Sequence, residues 1–277
     1  MTTTISRDTW IEINGQPARV ETLQAALPNF GHFTSMQVRD AAVAGLALHG
    51  QRLQAATRLL FDAELNLPQV WRWLHQALEH AGRDAIHASS VRIAVHASRF
   101  DRSRPGRSDS LNVMISVAAP APAAAPLPQR LCVQRYAREL PQIKHEATFG
   151  ALWQRRLAQQ AGCDDALFVG DDGAVSEGPT WNIGLFDGQR IVWPQAPMLA
   201  GVTQQVLVAA LDRMGVEQQQ RLVHADELGS FAAAFLCNAT HAATPVAAID
   251  GHRLDAAHPL FDRLQQARQQ IAMEPIA

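Results

Sequence analysis

Residues 118–128, AAPAPAAAPLP, constrain this chain more than any other stretch. Pro120, Pro122, Pro126 and Pro128 each lack a backbone N–H and fix φ, so neither a helix interior nor a central strand can run through them. The stretch reads as a semi-rigid extended linker. It divides 277 residues into 1–117 and 129–277, each long enough for a core of its own. The 47% hydrophobic and 18% charged residues are those of a folded protein. A formal net charge of −2 argues against nucleic acid and membrane surfaces as partners. No apolar run has the length of a membrane span, and MTTTISRDTW lacks the basic-then-apolar order of a leader, so neither is expected. Cys132, Cys163 and Cys237 fit no zinc or disulfide spacing, which predicts reduced thiols and a cytoplasmic setting.

Patterning predicts an α+β first part. Asn14-Gly15 should turn a hairpin, and FGHFTSMQVRDAAVA should form strand, turn and strand. Helices follow, one through HGQRLQAATRLLF and one over 68–82 opened by Pro68. SVRIAVHASRF and SLNVMISVA then read as strands. After the linker come a strand in RLCVQRYAR, a helix ending at Gly162 and two hairpins turning at Asp172-Gly173 and Asp187-Gly188. A helix over GVTQQVLVAALDRMGV, two strands in AFLCNATHAATPVAAIDG and a closing amphipathic helix complete the chain.

Of the 24 basic residues only Lys144 is lysine. Codon bias toward Arg explains the trend, and it makes the survivor informative. Arg stays protonated, whereas Lys can lose its proton and attack a carbonyl to form a Schiff base. Glu177, in Ser-Glu-Gly between two hairpins, is an acid that alone reads as a solvated turn residue. Thr203, after Gly201-Val202, opens a helix whose free N–H groups suit a phosphate, although a plain N-cap looks the same. Together they are what pyridoxal phosphate requires: an amine for its aldehyde, an acid for its ring nitrogen and a cradle for its phosphate. The phosphate loop, G-x-G-x-x-G, G-x-S-x-G and H-E-x-x-H are absent, and the eleven histidines are scattered, so no metal site is expected.

The stretch from Lys144 to Pro245 resembles the class IV aminotransferases, the fold-type IV pyridoxal-phosphate enzymes. These include branched-chain and D-amino-acid aminotransferases and aminodeoxychorismate lyase. The matching pieces are Arg138-x-x-Pro141-x-x-Lys144, Asp165-Ala166-Leu167-Phe168, Ser176-Glu177-Gly178, Asn182, Asp187-Gly188, Gly201-Val202-Thr203, Asn238-Ala239-Thr240, Thr244-Pro245-Val246 and Asp250-Gly251. Before the linker, Phe30-Gly31, Arg39 and His49-x-x-Arg52-Leu53 resemble a more diverged part of the same signature. The resemblance implies a two-domain α/β fold, with a smaller N-terminal α+β lobe and a larger C-terminal lobe around a β-barrel-like core. It also implies a homodimer.

Carried over by residue, Lys144 would hold the cofactor and shuttle the proton. Glu177 would pair with the ring nitrogen, Arg52 would bind the phosphate with the N–H groups of Val202 and Thr203, and Asn182, Ala239 and Thr240 would complete the site. Phe30, His32, Arg39, Arg92 and Arg99 are the candidates for substrate contact. The expected reaction moves an amino group from an amino donor to a keto-acid acceptor. A lyase releasing pyruvate is the alternative, and a cofactor-binding protein with little turnover is a third reading. Relatives carry a Tyr soon after the lysine. Phe149 is the nearest equivalent here, with Thr148 or His145 as possible substitutes.

Overall fold

The computed structural model describes residues 9–105, 110–122 and 124–276. Residues 1–8, part of the stretch read for a leader, and Ala123 of the linker lie outside these. Two compact units form: residues 1–123, 143–147 and 272–277 make one, and residues 124–142 and 148–271 make the other. The crossing at 123/124 falls inside the Ala/Pro stretch. The division is otherwise not sequential, because the Lys144 segment and the chain's end both belong to the first unit rather than to a 129–277 domain.

The first unit contains β1 (Trp10–Ile13), β2 (Gln16–Pro17), α1 (Val20–Leu23), β3 (Gly31–Arg39), β4 (Ala42–Ala44), α2 (Leu46–Phe61), α3 (Leu67–Ala81), α4 (Arg83–His87), β5 (Ala88–Ala97) and β6 (Leu111–Ala118). Asn14 and Gly15 adopt φ of 52° and 73°, the left-handed pair a two-residue hairpin needs. The sheet runs β4-β3-β5-β6-β1-β2 with every neighbouring pair antiparallel, and the strand Met273–Pro275 adds itself to the β4 edge. Leu53 and Phe61 of α2 and Val70, Leu74 and Leu78 of α3 pack on Met36, Val38, Val91, Ile93 and Ile115. Asn66 caps α3 by accepting from the Gln69 N–H, with Pro68 in the first turn.

The second unit contains β7 (Gln129–Arg135), α5 (Phe149–Gln160), β8 (Asp165–Val169), β9 (Asn182–Phe186), β10 (Ile191–Pro194), α6 (Val202–Arg213), β11 (Gln218–Arg221), β12 (Ala233–Cys237), β13 (Thr244–Ile249), β14 (His252–Arg253) and α7 (Leu260–Gln269). Its mixed sheet runs β11-β10-β9-β12-β13-β7-β8, with β14 paired to β13. The parallel pairs β7/β8 and β10/β11 are joined by α5 and α6, the crossovers that parallel neighbours require. Trp193 and Phe235 pack against Leu207 and Leu211 of α6 and Leu260 and Leu264 of α7. The expected hairpin at Asp172-Gly173 forms: Phe168 N–H donates to the Glu177 carbonyl, Ser176 N–H to the Phe168 carbonyl and Gly170 N–H to the Ala174 carbonyl, around the bridge between Val169 and Val175.

Three features depart from the sequence reading. β11 is Gln-Gln-Gln-Arg, an edge strand whose pairing to β10 needs no apolar alternation. The chain ends in a strand rather than a helix. Cys132 and Cys163 are joined in a disulfide with Cα atoms 5.7 Å apart, so only Cys237 is a free thiol, and it is buried. The expectation of three reduced thiols fails because parallel pairing of β7 with β8 returns the chain from α5 to beside β7. Among the described residues no helix is long and apolar enough to cross a membrane.

Candidate active site

Residues 143–147 lie as an extended strip along the start of β3. Phe33 N–H donates to the Lys144 carbonyl at 2.9 Å and Glu146 N–H donates to the Gly31 carbonyl at 2.9 Å. Position 31 has to be glycine here, since a Cβ would stand 2.6 Å from the Val95 carbonyl and 2.8 Å from Glu146 Oε2. The strip sets Lys144 Nζ 5.0 Å from the centre of the Phe33 ring. The Arg92 guanidinium covers the same ring at 3.6 Å and pairs with Glu146 at 3.1 Å. Burial pushes the Glu146 carboxyl up against the opposing pull of Arg92, and its Oε2 is buried without a hydrogen-bond partner.

Arg52 lies on α2, one turn after His49. Its Nη1 donates to Thr34 Oγ1 at 3.5 Å, and Thr34 Oγ1 meets His49 Nδ1 at 2.5 Å. Burial drives the His49 pKa down to about 3, and the charges of Arg52 and Lys144 push in the same direction. Both expected cofactor-binding cations of this unit therefore act on one buried imidazole.

The substrate candidates separate. Arg92 lies over the same Phe33 ring as Lys144. Arg39 is exposed at the far end of β3 and donates to the Val38 carbonyl, and Arg99 is exposed beyond β5. His32 is fully buried with Nε2 on Thr57 Oγ1, which makes it a packing residue between β3 and α2 rather than a substrate contact. Phe30 packs edge-on to Phe61 and beside Phe100.

In the second unit Glu177 is nearly buried and accepts from Arg138 Nη1 at 3.4 Å, with both side chains less than a tenth exposed. Asn182 bridges to Glu177 through the backbone, opens β9 and donates from Nδ2 to the Leu199 carbonyl at 2.9 Å. Its Oδ1 occupies the space that a Cβ at Gly201 would need. Asn182 therefore fixes the entry to α6. No side chain caps α6, so no cap takes the N–H groups of Val202 and Thr203. Cys237 at the end of β12 pairs in register with Asn182, bringing the Asn238-Ala239-Thr240 turn to the same end of the sheet. Asn238 Oδ1 accepts from the Thr240 N–H, so that donor is committed to the turn rather than to a phosphate.

Phe149 does not stand in for the tyrosine that relatives carry. It is 78% exposed and stacks on Trp153. The chain's one tyrosine, Tyr136, was not singled out from sequence. Its ring packs edge-on to Phe168, and its hydroxyl is pushed up by burial and then by Glu139, with Arg138 opposing and Glu177 adding. Gly150 leaves the room that this phenol occupies. Glu146 was also missed, because nothing in Lys-His-Glu marks its carboxylate as an ion-pair partner of a residue on β5.

These residues fit pyridoxal phosphate. In the first unit an amine and an arginine both act on His49; in the second a carboxylate is nearly buried and the start of α6 has no side-chain cap.

The family model described as amino-transferase class IV matches residues 31–249. A bifunctional aminodeoxychorismate lyase / D-amino acid transaminase of Mycobacterium tuberculosis is 24% identical, covering 83% of this chain and 85% of its own. The branched-chain amino acid aminotransferase of Escherichia coli superposes with a TM-score of 0.85 at 17% identity, over 97% of this chain and 99% of that one. A hypothetical aminotransferase of Mycobacterium tuberculosis in its PLP-bound form gives 0.78 at 22% identity, over 94% and 97%. The two structures share the fold, and the family match covers both the Lys144 and the Glu177 segments; this chain belongs to the class IV aminotransferases.

Proposed function

We propose that the protein is a pyridoxal-phosphate-dependent transaminase in which Lys144 is the reactive amine. The observation that carries this is the placement of the chain's one lysine in a strip held by backbone bonds to β3, over the Phe33 ring that Arg92 also covers and acting with Arg52 on His49. When bound, the cofactor supplies an aldehyde that takes up the donor's amine and a ring that accepts the electron pair released at the α-carbon. Lys144 Nζ would take the α-proton and deliver it to the cofactor carbon that had carried the aldehyde. The neutral amine is the form that would serve for both attack and proton transfer. Glu177, anchored by Arg138, keeps a proton on the ring nitrogen. Arg52 would pair with the phosphate, the N–H groups of Val202 and Thr203 would donate to it, and Ala239 or Thr240 would add a further contact. Arg92 is the candidate for the substrate carboxylate.

The amino donor and the keto acid bind in turn. A homodimer and a cytoplasmic setting belong to the same reading, although the Cys132–Cys163 bridge weighs against the latter. A half-reaction screen tests the function. Amino donors added to the loaded protein should convert the bound cofactor to its amine form, seen as loss of the long-wavelength band. No conversion with any L-amino acid, D-amino acid or amine counts against it. Pyruvate released without a keto-acid acceptor identifies the lyase instead, a reading that the lyase activity in the Mycobacterium tuberculosis relative's name supports.

A further inference from the structure

Four buried polar residues link β3 to α2 in a reciprocal pattern. His32 on β3 meets Thr57 on α2 at 2.9 Å, and Thr34 on β3 meets His49 on α2 at 2.5 Å. His32, Thr34 and Thr57 are fully buried and His49 is 3% exposed. An apolar interface could pack there at less cost, since every buried hydroxyl and imidazole must find a partner. Only the Thr34–His49 rung reaches further, to Arg52 Nη1.

One of these hydrogen bonds has a fixed direction, and the other follows the His49 tautomer. Arg52 can only donate, so Thr34 Oγ1 accepts from it. With the His49 proton on Nε2 the Thr34 hydroxyl donates to Nδ1, and with the proton on Nδ1 the ring donates to the same oxygen. In either tautomer the imidazole holds the hydroxyl in place, and the hydroxyl oxygen accepts from the guanidinium.

We infer that Thr34 and His49 are positioning residues for phosphate binding, acting through Arg52, whereas the His32–Thr57 rung serves packing alone. The inference rests on the proposed function, because it assumes that Arg52 takes a phosphate. A mispositioned guanidinium loses part of its bidentate grip on a dianion.

The test compares apoprotein affinity for pyridoxal 5′-phosphate and for pyridoxal, which lacks the phosphate, by equilibrium dialysis alongside thermal melts. Thr34→Val is nearly isosteric and removes only the hydroxyl. It should weaken pyridoxal-phosphate binding about tenfold, the equivalent of one such bond at about 1.4 kcal/mol, and leave pyridoxal affinity unchanged. Thr34→Ser should restore the preference, and His49→Leu should repeat the loss. Thr57→Val should lower Tm while keeping the wild-type ratio of the two affinities. Parallel weakening of both ligands by Thr34→Val and Thr57→Val would show a structural role only and overturn the inference. A Thr34→Val protein that retains the wild-type preference overturns it as well. Wild-type protein that takes up neither ligand contradicts the proposed function itself and the relay with it.

Discussion

His32 and His49 make the clearest case for what individual side chains do to the stability of this protein. Burial drives both pKa values down to about 3, from an ordinary value near 6.5. Both are therefore neutral in the folded chain throughout the range in which the unfolded chain protonates them. Between pH 6.5 and about 3 the unfolded state binds more protons, so stability is full above the unfolded pKa and falls as the pH drops. The slope approaches about 1.4 kcal/mol per pH unit for each histidine. Urea midpoints should be flat above pH 7 and decline below pH 6, and His32→Asn should make the decline shallower.

The Arg138–Glu177 pair gives a second prediction at this scale. Removing one partner of a nearly buried ion pair costs about 3–5 kcal/mol, because a charge is left in poor solvent. Arg138→Met should lower the urea midpoint accordingly, whereas Glu177→Gln, which keeps an acceptor for Arg138, should lower it less. Lys144, Glu177 and Arg52 stand out in the sequence because each belongs to a short piece that resembles the family's signature. Glu146 and Tyr136 were not. Their significance depends on Arg92 and Gly150, partners that only the folded backbone brings to them.

Secondary elements that carry their own signal were readable in advance. α3 announced itself with Pro68, and the β1–β2 hairpin did so with Asn14-Gly15. β11 has no such signal, since its four polar residues are a strand only because β10 pairs with them. The disulfide was likewise hidden, because spacing in sequence does not reveal that β7 and the end of α5 are neighbours. It closes a crossover with a sequence separation of 31, for which loop-closure entropy predicts about 3–4 kcal/mol of stabilisation. Native protein should show no reactive thiol, because Cys237 is buried with its pKa pushed up to about 12. Denatured protein should show one thiol, reduced and denatured protein three, and reduction should lower Tm. The α6 entry is equally specific. Gly201→Ala would drive its Cβ into Asn182 Oδ1, so it should weaken cofactor binding, and pairing it with Asn182→Ala should relieve the clash.

At the scale of the whole chain, the linear order of the sequence misled where the units are concerned. The Ala/Pro stretch marks one crossing between them, but residues 143–147 and 272–277 return to the first unit. Backbone pairing across long separations causes this, and no local pattern records it. The last strand is an edge strand on β4. Ile276 is 5% exposed within the first unit's core, and Glu274 Oε2 accepts from the Ala47 N–H near the start of α2. Deleting residues 272–277 should cost about 2–3 kcal/mol through the loss of Ile276 burial alone, and a melt of the truncated chain measures it.

The central claim is that the single lysine is the amine that engages the cofactor, and peptide mapping after borohydride reduction of the pyridoxal-phosphate-loaded protein tests it most directly. With one lysine in the chain, the only competing amine is the N-terminus. The account predicts one phosphopyridoxyl group on the peptide containing Lys144. A label confined to the N-terminal peptide, or no label at all, would contradict it.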